Sequence, residues 1–185
     1  MGRDCPVTTH MLIRQSDTVE RTVNLIDDLR SLLTRLKQQS PCGFATAFQV
    51  AFTTPKYLFQ TYGDDWMNYY SSKGIVMKDP AVLWGFANDG IASWPELQKL
   101  DNHGVFEKAT EFGLNYWAVM ATSESGSKSI GAFSRSDRDF TDDEREQIFA
   151  DFQSLHRLTL QGPESEPEFG EMLLDLSIRH THPIS

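Results

Sequence analysis

The sequence predicts one α+β domain, a three-layer α/β/α sandwich in which helices cover both faces of a central antiparallel sheet. Two observations support this fold class. The predicted elements follow the order helix, strand, helices, strands, helix, and the last two strands are separated only by a short turn-rich segment. The chain has 185 residues, enough for one sizeable core and too few for two ordinary domains.

The first helix is predicted over 18–38, where apolar residues such as Leu29, Leu33 and Leu36 recur at helical spacing between charged ones. Residues 1–17 are expected to form an N-terminal arm. The segment 40–43, Ser-Pro-Cys-Gly, interrupts the pattern. A strand is predicted over 44–52, with its larger side chains on one face and small residues, among them Ala45 and Ala47, on the other.

Three short helices are predicted in the middle of the chain, at 64–73, 79–88 and 104–112. The second begins with Asp79 as N-cap and Pro80 as the first helical residue, both typical of helix starts.

Two strands follow, at 115–122 and 129–135, joined as a hairpin through a Ser- and Gly-rich turn. Thr141 and Glu144 then form a capping-box pattern that starts a long final helix, and the domain is expected to span 18–161.

Residues 162–185 are expected to be an acidic linker and a short tail with at most one short amphipathic helix. This stretch contains five acidic residues and one basic residue, so it does not offer a surface for DNA. The whole chain carries a net charge of −9, which disfavours binding to nucleic acid or to an anionic membrane. Without an apolar run of about 20 residues or a secretory signal, a cytoplasmic protein is expected.

Sequence signatures of an enzyme are lacking. There is no nucleophile elbow, phosphate loop or dinucleotide-binding glycine motif. The two cysteines are too few for a zinc site, and the five histidines form no metal-binding pair on a predicted rigid element. We therefore expect no catalytic residues, no metal and no cofactor.

Polar-tipped aromatic residues recur at Tyr62, Trp66 and Tyr70, with the spacing i, i+4, i+8, which would place them on one helix face. Such a stripe can simply be core. Three hydrogen-bond donors facing one place also suit a ligand site, because each needs a partner when buried. Asp79 likewise has two readings, as a helix N-cap and as an acceptor for a ligand N–H.

The spacing Tyr62, Trp66, Tyr70, Asp79-Pro80 and Trp94 resembles the ligand-binding domain of LuxR-type quorum-sensing regulators. The resemblance continues in Gly113-Leu114 and in the segment Ile-Gly-Ala-Phe-Ser at 130–134, and it covers roughly residues 20 to 160.

That resemblance implies an N-acyl-homoserine lactone held between the sheet and a helical layer. Trp66 would donate to the lactone carbonyl, Asp79 would accept from the amide N–H, and Tyr62 and Ser134 would donate to the amide carbonyl. The remaining implied ligand-binding residues form walls, with Tyr70 and Trp94 around the head group. Phe48, Val50 and the small residues Ala45 and Ala47 lie on the strand that would line the acyl path.

The resemblance departs at Trp117, near which the family has a small residue, and at Trp84, which is large for its place after Asp-Pro. An inward-pointing Trp117 would reduce the acyl space. Only 24 residues follow Gln161, so the family's C-terminal helix-turn-helix domain is expected to be absent from this sequence, which is either one part of a longer regulator or a natural protein without a DNA-reading domain. The expected partners are therefore the lactone and either a second copy of the chain or a full-length LuxR-type regulator. The chain could then act as a signal sink or as a dominant-negative heterodimer partner. It is not expected to bind DNA or a membrane directly. The alternatives are a sensor or protein-interaction domain of the same fold with a different ligand or none, and, least favoured, a lactone-degrading enzyme.

Overall fold

The computed structural model describes residues 7–181, with side chains described for residues 18–177. The helices of this described part are α1 Val7–Gln39, α2 Asp64–Ser72, α3 Pro80–Ala87, α4 Trp94–Leu100, α5 Val105–Thr110, α6 Asp142–Ser165 and α7 Pro167–Thr181, with a 3₁₀ turn at Ile75–Met77. The strands are β1 Phe44–Ala51, β2 Thr54–Gln60, β3 Gly90–Ala92, β4 Tyr116–Glu124 and β5 Ser127–Arg135.

The five strands form one sheet in the order β2-β1-β5-β4-β3, and every neighbouring pair is antiparallel. Alternate residues of β4 separate two cores: Ala118 and Met120 pack with α1, α6 and α7, whereas Trp117, Val119 and Ala121 pack with α2 to α5. Helices therefore cover both faces, and the predicted α+β sandwich is confirmed.

The expected N-terminal arm is wrong from Val7 onward, because α1 begins there and runs without interruption to Gln39. The segment that follows Pro6 contains no glycine or proline before Pro41, so nothing in it breaks the helix. Residues 1–6 lie outside the described part of the chain.

The expected acidic linker is also wrong. The final domain helix α6 continues to Ser165, and α7 follows almost at once. Phe169 and Leu173 on α7 are fully buried in the core beside α1 and α6. Ser177 accepts a hydrogen bond from the Leu58 backbone N–H, with 2.8 Å between nitrogen and oxygen, so α7 also lies against the edge strand β2. Helical spacing of apolar residues outweighs the acidic composition here, since four of the five acidic residues are exposed and only Glu166 is buried.

Strand β1 departs from strict alternation. Its pairing with β5 shifts register between Ala47 and Val50, and Gln49 has a φ of 53° at this irregularity. Phe44 and Phe48 lie before the shift and are buried, but Phe52 lies in the turn after it and is 100% exposed. The expectation that Phe52 shares the face of Phe44 is therefore wrong, because a bulge resets the two-residue period.

Candidate functional site

The aromatic residues predicted to form one stripe all lie in the core between the sheet and the α2–α5 layer. Only Trp66 and Tyr70 belong to α2, since Tyr62 lies in the loop between β2 and α2. The Tyr62 hydroxyl nevertheless reaches the sheet and donates to the Ala132 carbonyl oxygen at 2.9 Å. Burial raises the pKa of Tyr62 well above its usual range, and the nearby Asp79 carboxylate adds to that shift.

Tyr70 contacts both Trp66 and Asp79. The ring centroids of Trp66 and Tyr70 are 5.6 Å apart in an edge-on arrangement. The Tyr70 hydroxyl donates to Asp79 Oδ2 at 2.8 Å. Among the described residues, no group accepts a hydrogen bond from the Trp66 indole N–H, whose ring contacts Tyr70, Tyr69 and Phe112. The indole therefore keeps a donor that a ligand could use.

Asp79 is the N-cap of α3 and is only 8% exposed. Its Oδ1 accepts from the Ala81 backbone N–H at 2.8 Å, as an N-cap requires. Burial raises the pKa of this carboxyl, while the hydrogen bonds from Tyr70 and the backbone act in the opposite direction. Each carboxylate oxygen has two lone pairs, so Asp79 can cap the helix, bind Tyr70 and still accept a further N–H.

Ser134 and Trp94 complete the predicted polar set. Ser134 lies on β5 directly opposite Trp117 of β4, so both side chains point to the same face of the sheet. Ser134 is fully buried, and its hydroxyl has no hydrogen-bond partner among the described residues. Trp94 begins α4 and packs on Phe106, with ring centroids 4.9 Å apart.

The predicted chain-lining residues Phe48 and Val50 do not join this group. Phe48 lies on the opposite face of the sheet, where its ring packs against Phe59 and Phe152 at centroid distances of 6.1 and 5.3 Å. Val50 follows the bulge and pairs with Pro55 and Lys128 near the end of the sheet. Since strand residues alternate faces, Ala45 is the β1 residue that packs on the site's side instead.

Two phenylalanines near the site were not predicted. Phe112 lies 5.4 Å from Trp66, and Phe106 lies 5.5 Å from Trp117, between ring centroids. Phe106 and Phe112 lie three residues before and three residues after Ala109, and this spacing could have placed both on the inner side of the predicted helix 104–112.

The site residues pack closely against each other. Two surface grooves, of about 560 and 150 Å³, lie elsewhere, the larger between α1 and α6 and the smaller beside α1, β1 and β2. The larger groove is lined by Leu25, Asp28, Leu32, Arg35, Arg157 and Leu158, among others.

One serine–histidine pair lies outside the candidate site. Ser129 Oγ is 2.8 Å from His156 Nδ1, which is the spacing of a nucleophile and its base. Both residues are buried, and Gln49 donates to the His156 carbonyl oxygen and to Thr159 in the same network. Burial keeps substrates away from this pair, and its geometry fits a polar contact that holds α6 on the sheet. The sequence alone does not indicate this pair, since 27 residues separate its members.

Within the described residues, no three histidine, cysteine, aspartate or glutamate side chains gather as a metal site would require. No helix of the described part is long and apolar enough to cross a membrane.

Fold and site together define a small-molecule sensor domain, with a buried carboxylate and aromatic donors between a sheet and a helical layer. The family described as autoinducer binding domain matches residues 26–161, a span that contains all of the site residues named above. The chain belongs to this family, the autoinducer-binding domains of LuxR-type quorum-sensing regulators, which are signal receptors rather than enzymes.

Individual relatives are more distant. SolR, a transcriptional activator of Ralstonia nicotianae, is 31% identical over 58 residues, which cover 31% of this chain and 25% of SolR. Among solved structures, CepR2 of Burkholderia cenocepacia, an N-acylhomoserine lactone-dependent LuxR-family transcription factor, is 12% identical with a TM-score of 0.54, covering 86% of this chain and 97% of CepR2. SdiA in complex with octanoyl-rac-glycerol is 19% identical with a TM-score of 0.54, and the match covers 86% of this chain and 69% of the SdiA chain. The structural similarities support the fold.

Proposed function

We propose that this domain binds an N-acyl-homoserine lactone between the sheet and the α2–α5 layer. The observation that carries the proposal is the buried Asp79 carboxylate, which contacts Tyr70 in a core that also holds the free Trp66 indole N–H and the unpartnered Ser134 hydroxyl. A buried hydroxyl without a partner, like that of Ser134, is costly, so this hydroxyl, the Trp66 donor and the Asp79 acceptor together favour a polar ligand.

The ligand's chemistry fits these groups. Its amide N–H would donate to Asp79, whose oxygens have unused acceptor capacity. Its lactone carbonyl would accept from Trp66, and its amide carbonyl would accept from Ser134 and Tyr62. The Tyr62 hydroxyl would then donate either to the ligand in place of the Ala132 carbonyl oxygen or to both acceptors at once. Tyr70 and Trp94 would wall the head group.

We further propose that the chain acts by pairing with a second copy or with a full-length LuxR-type regulator, and that it neither contacts DNA itself nor catalyses a reaction. The excess of 26 acidic over 17 basic residues supports the absence of DNA contact. The signal-sink and dominant-negative roles follow from such pairing. The competing function is a sensor or protein-interaction domain that uses the same fold without a lactone.

The deciding experiment is mass spectrometry of small molecules that co-purify with the chain expressed alongside a mixture of acyl-homoserine lactones. Retention of a lactone by the wild type and its loss in Asp79→Ala would support the proposed function. A folded wild-type chain that retains no lactone would contradict it, and release of the ring-opened acyl-homoserine would indicate an enzyme. Octanoyl-rac-glycerol, the ligand named for SdiA, serves as a comparison because it lacks the amide N–H.

A further inference from the structure

Trp117 is the largest side chain that β4 directs towards the candidate site. It is only 4% exposed, and its ring centroid lies 5.7 Å from that of Tyr62 and 5.5 Å from that of Phe106. The indole N–H donates to the Leu114 carbonyl oxygen at 3.2 Å. Two aromatic neighbours and one hydrogen bond therefore hold this indole in place, and it does not swing freely out of the core.

The indole stands beside the groups to which we assign the ligand's amide carbonyl. Trp117 contacts Tyr62 and is the cross-strand partner of Ser134 on the same sheet face. A ligand held by Tyr62 and Ser134 must pass next to this ring. The volume that the indole takes is therefore subtracted from the volume left for the ligand.

We propose that Trp117 is the residue that determines ligand size, and that it restricts this site to lactones with a short acyl chain. The proposal rests on the function proposed above. A butanoyl group presents little bulk beyond the amide, whereas an octanoyl group needs an apolar channel past the indole.

Trp84 provides a matched control. It is also a buried tryptophan of the α2–α5 layer, but its indole N–H donates to Glu96 Oε1 at 3.1 Å, so it bridges α3 and α4. Trp84→Phe removes an indole from the same core, and among the described residues no ring contact or hydrogen bond joins Trp84 to Tyr62 or Ser134.

The test is calorimetric titration of the whole chain with butanoyl- and octanoyl-homoserine lactone. An open apolar channel would raise affinity about fourfold for each additional buried methylene. We expect octanoyl lactone to bind the wild type and Trp84→Phe no more tightly than butanoyl lactone. In Trp117→Ala, octanoyl lactone should bind at least about tenfold more tightly than butanoyl lactone. Trp117→Phe, which retains a packed ring, should raise the affinity for octanoyl lactone relative to butanoyl lactone by less. If Trp117→Ala does not fold, the Trp117→Phe result tests the size limit.

The outcomes separate this inference from the proposed function. A wild type whose affinity already rises by about fourfold per methylene, or Trp117 variants with the wild-type ratio, would overturn the role of Trp117 while leaving lactone binding intact. Binding by Trp117→Ala but not by the wild type would support the size limit and contradict lactone binding by the natural chain. A folded wild type and folded Trp117 variants that all bind neither lactone would overturn both.

Discussion

The two helical layers of the domain are filled by different side chains. The layer of α1, α6 and α7 packs on the sheet mainly through Leu and Phe residues, such as Leu36, Phe152 and Phe169, with Tyr57 and the Ser129–His156 pair as polar exceptions. The core between the sheet and the layer of α2 to α5 contains all four tryptophans of the chain, together with Tyr62, and Asp79 lies against it. Leu and Phe need only space, whereas tryptophan, tyrosine and aspartate also need hydrogen-bond partners when buried. The first layer is therefore suited to stability and the second to recognition.

The largest expected effect tests the stability layer. Phe152 is fully buried, with its ring 5.3 Å from Phe48 and 6.3 Å from Phe133. Phe152→Ala should lower the free energy of unfolding by about 3–5 kcal/mol, because it leaves a cavity between α6 and the sheet. Denaturant titration measures this loss, and the lactone affinity of the remaining folded protein should be unchanged.

Phe52→Ala is the control for that experiment. The ring of Phe52 is fully exposed in the turn between β1 and β2, so its removal should change stability by no more than about 0.5 kcal/mol. If both phenylalanine variants lost similar stability, burial in this layer would not be what stabilises the domain.

The next largest effect concerns the recognition layer. Asp79→Ala removes the proposed acceptor of the ligand N–H, so lactone affinity should fall about 10- to 100-fold, as expected for a hydrogen bond to a charged group. It also removes the N-cap of α3, at a cost of about 1 kcal/mol in stability. Titration below the melting temperature of the variant separates the two effects. An affinity equal to that of the wild type would leave Asp79 as a cap alone.

Local signals in the sequence predicted most of the fold. Asp79-Pro80 and the Thr141–Glu144 capping box begin helices where the structure has them. The hairpin of β4 and β5 and the covering of both sheet faces by helices were also predicted. Helix caps and period-two strands are encoded within a few neighbouring residues, which is why they can be recognised without tertiary information.

The missed features depend on distant contacts. Strand β2 carries no clear alternation and is fixed by its pairing with β1, and β3 has only three residues. For α7 a short amphipathic helix was allowed, but its length and its packing were missed, since only the core beside α1 shows that Phe169 is buried. In the site, the bulge in β1 and the face of Phe48 could not be read from the sequence, so two predicted lining residues were misplaced.

A smaller effect is expected at a position that belongs to neither core. Thr141 Oγ1 accepts from the Glu144 backbone N–H at 3.2 Å, and Glu144 Oε2 accepts from the Thr141 backbone N–H at 2.8 Å. Thr141→Ala should lower stability by about 1 kcal/mol, measured by thermal unfolding, and leave lactone affinity unchanged. Thr141→Ser keeps the cap and should retain most of the stability. A loss of affinity in the folded alanine variant would mean that α6 influences the recognition layer.

The smallest effect is expected for Asp79→Asn, whose stability near neutral pH should equal or slightly exceed that of the wild type. Asparagine caps helices about as well as aspartate, and it avoids burying a charge. Burial raises the pKa of the Asp79 carboxyl above the value of about 3.9 expected in the unfolded chain. Between these two values the folded state binds more protons, so the contribution of Asp79 to stability decreases as the pH rises through the folded pKa. The melting temperature of Asp79→Asn relative to the wild type should therefore increase between pH 4 and pH 7, with the other groups cancelling in the difference. The opposite result would be a wild type that becomes the more stable of the two as the pH rises. In that case the contacts with Tyr70 and α3 would stabilise the charged carboxylate, and burial of Asp79 would not lower the stability of the domain.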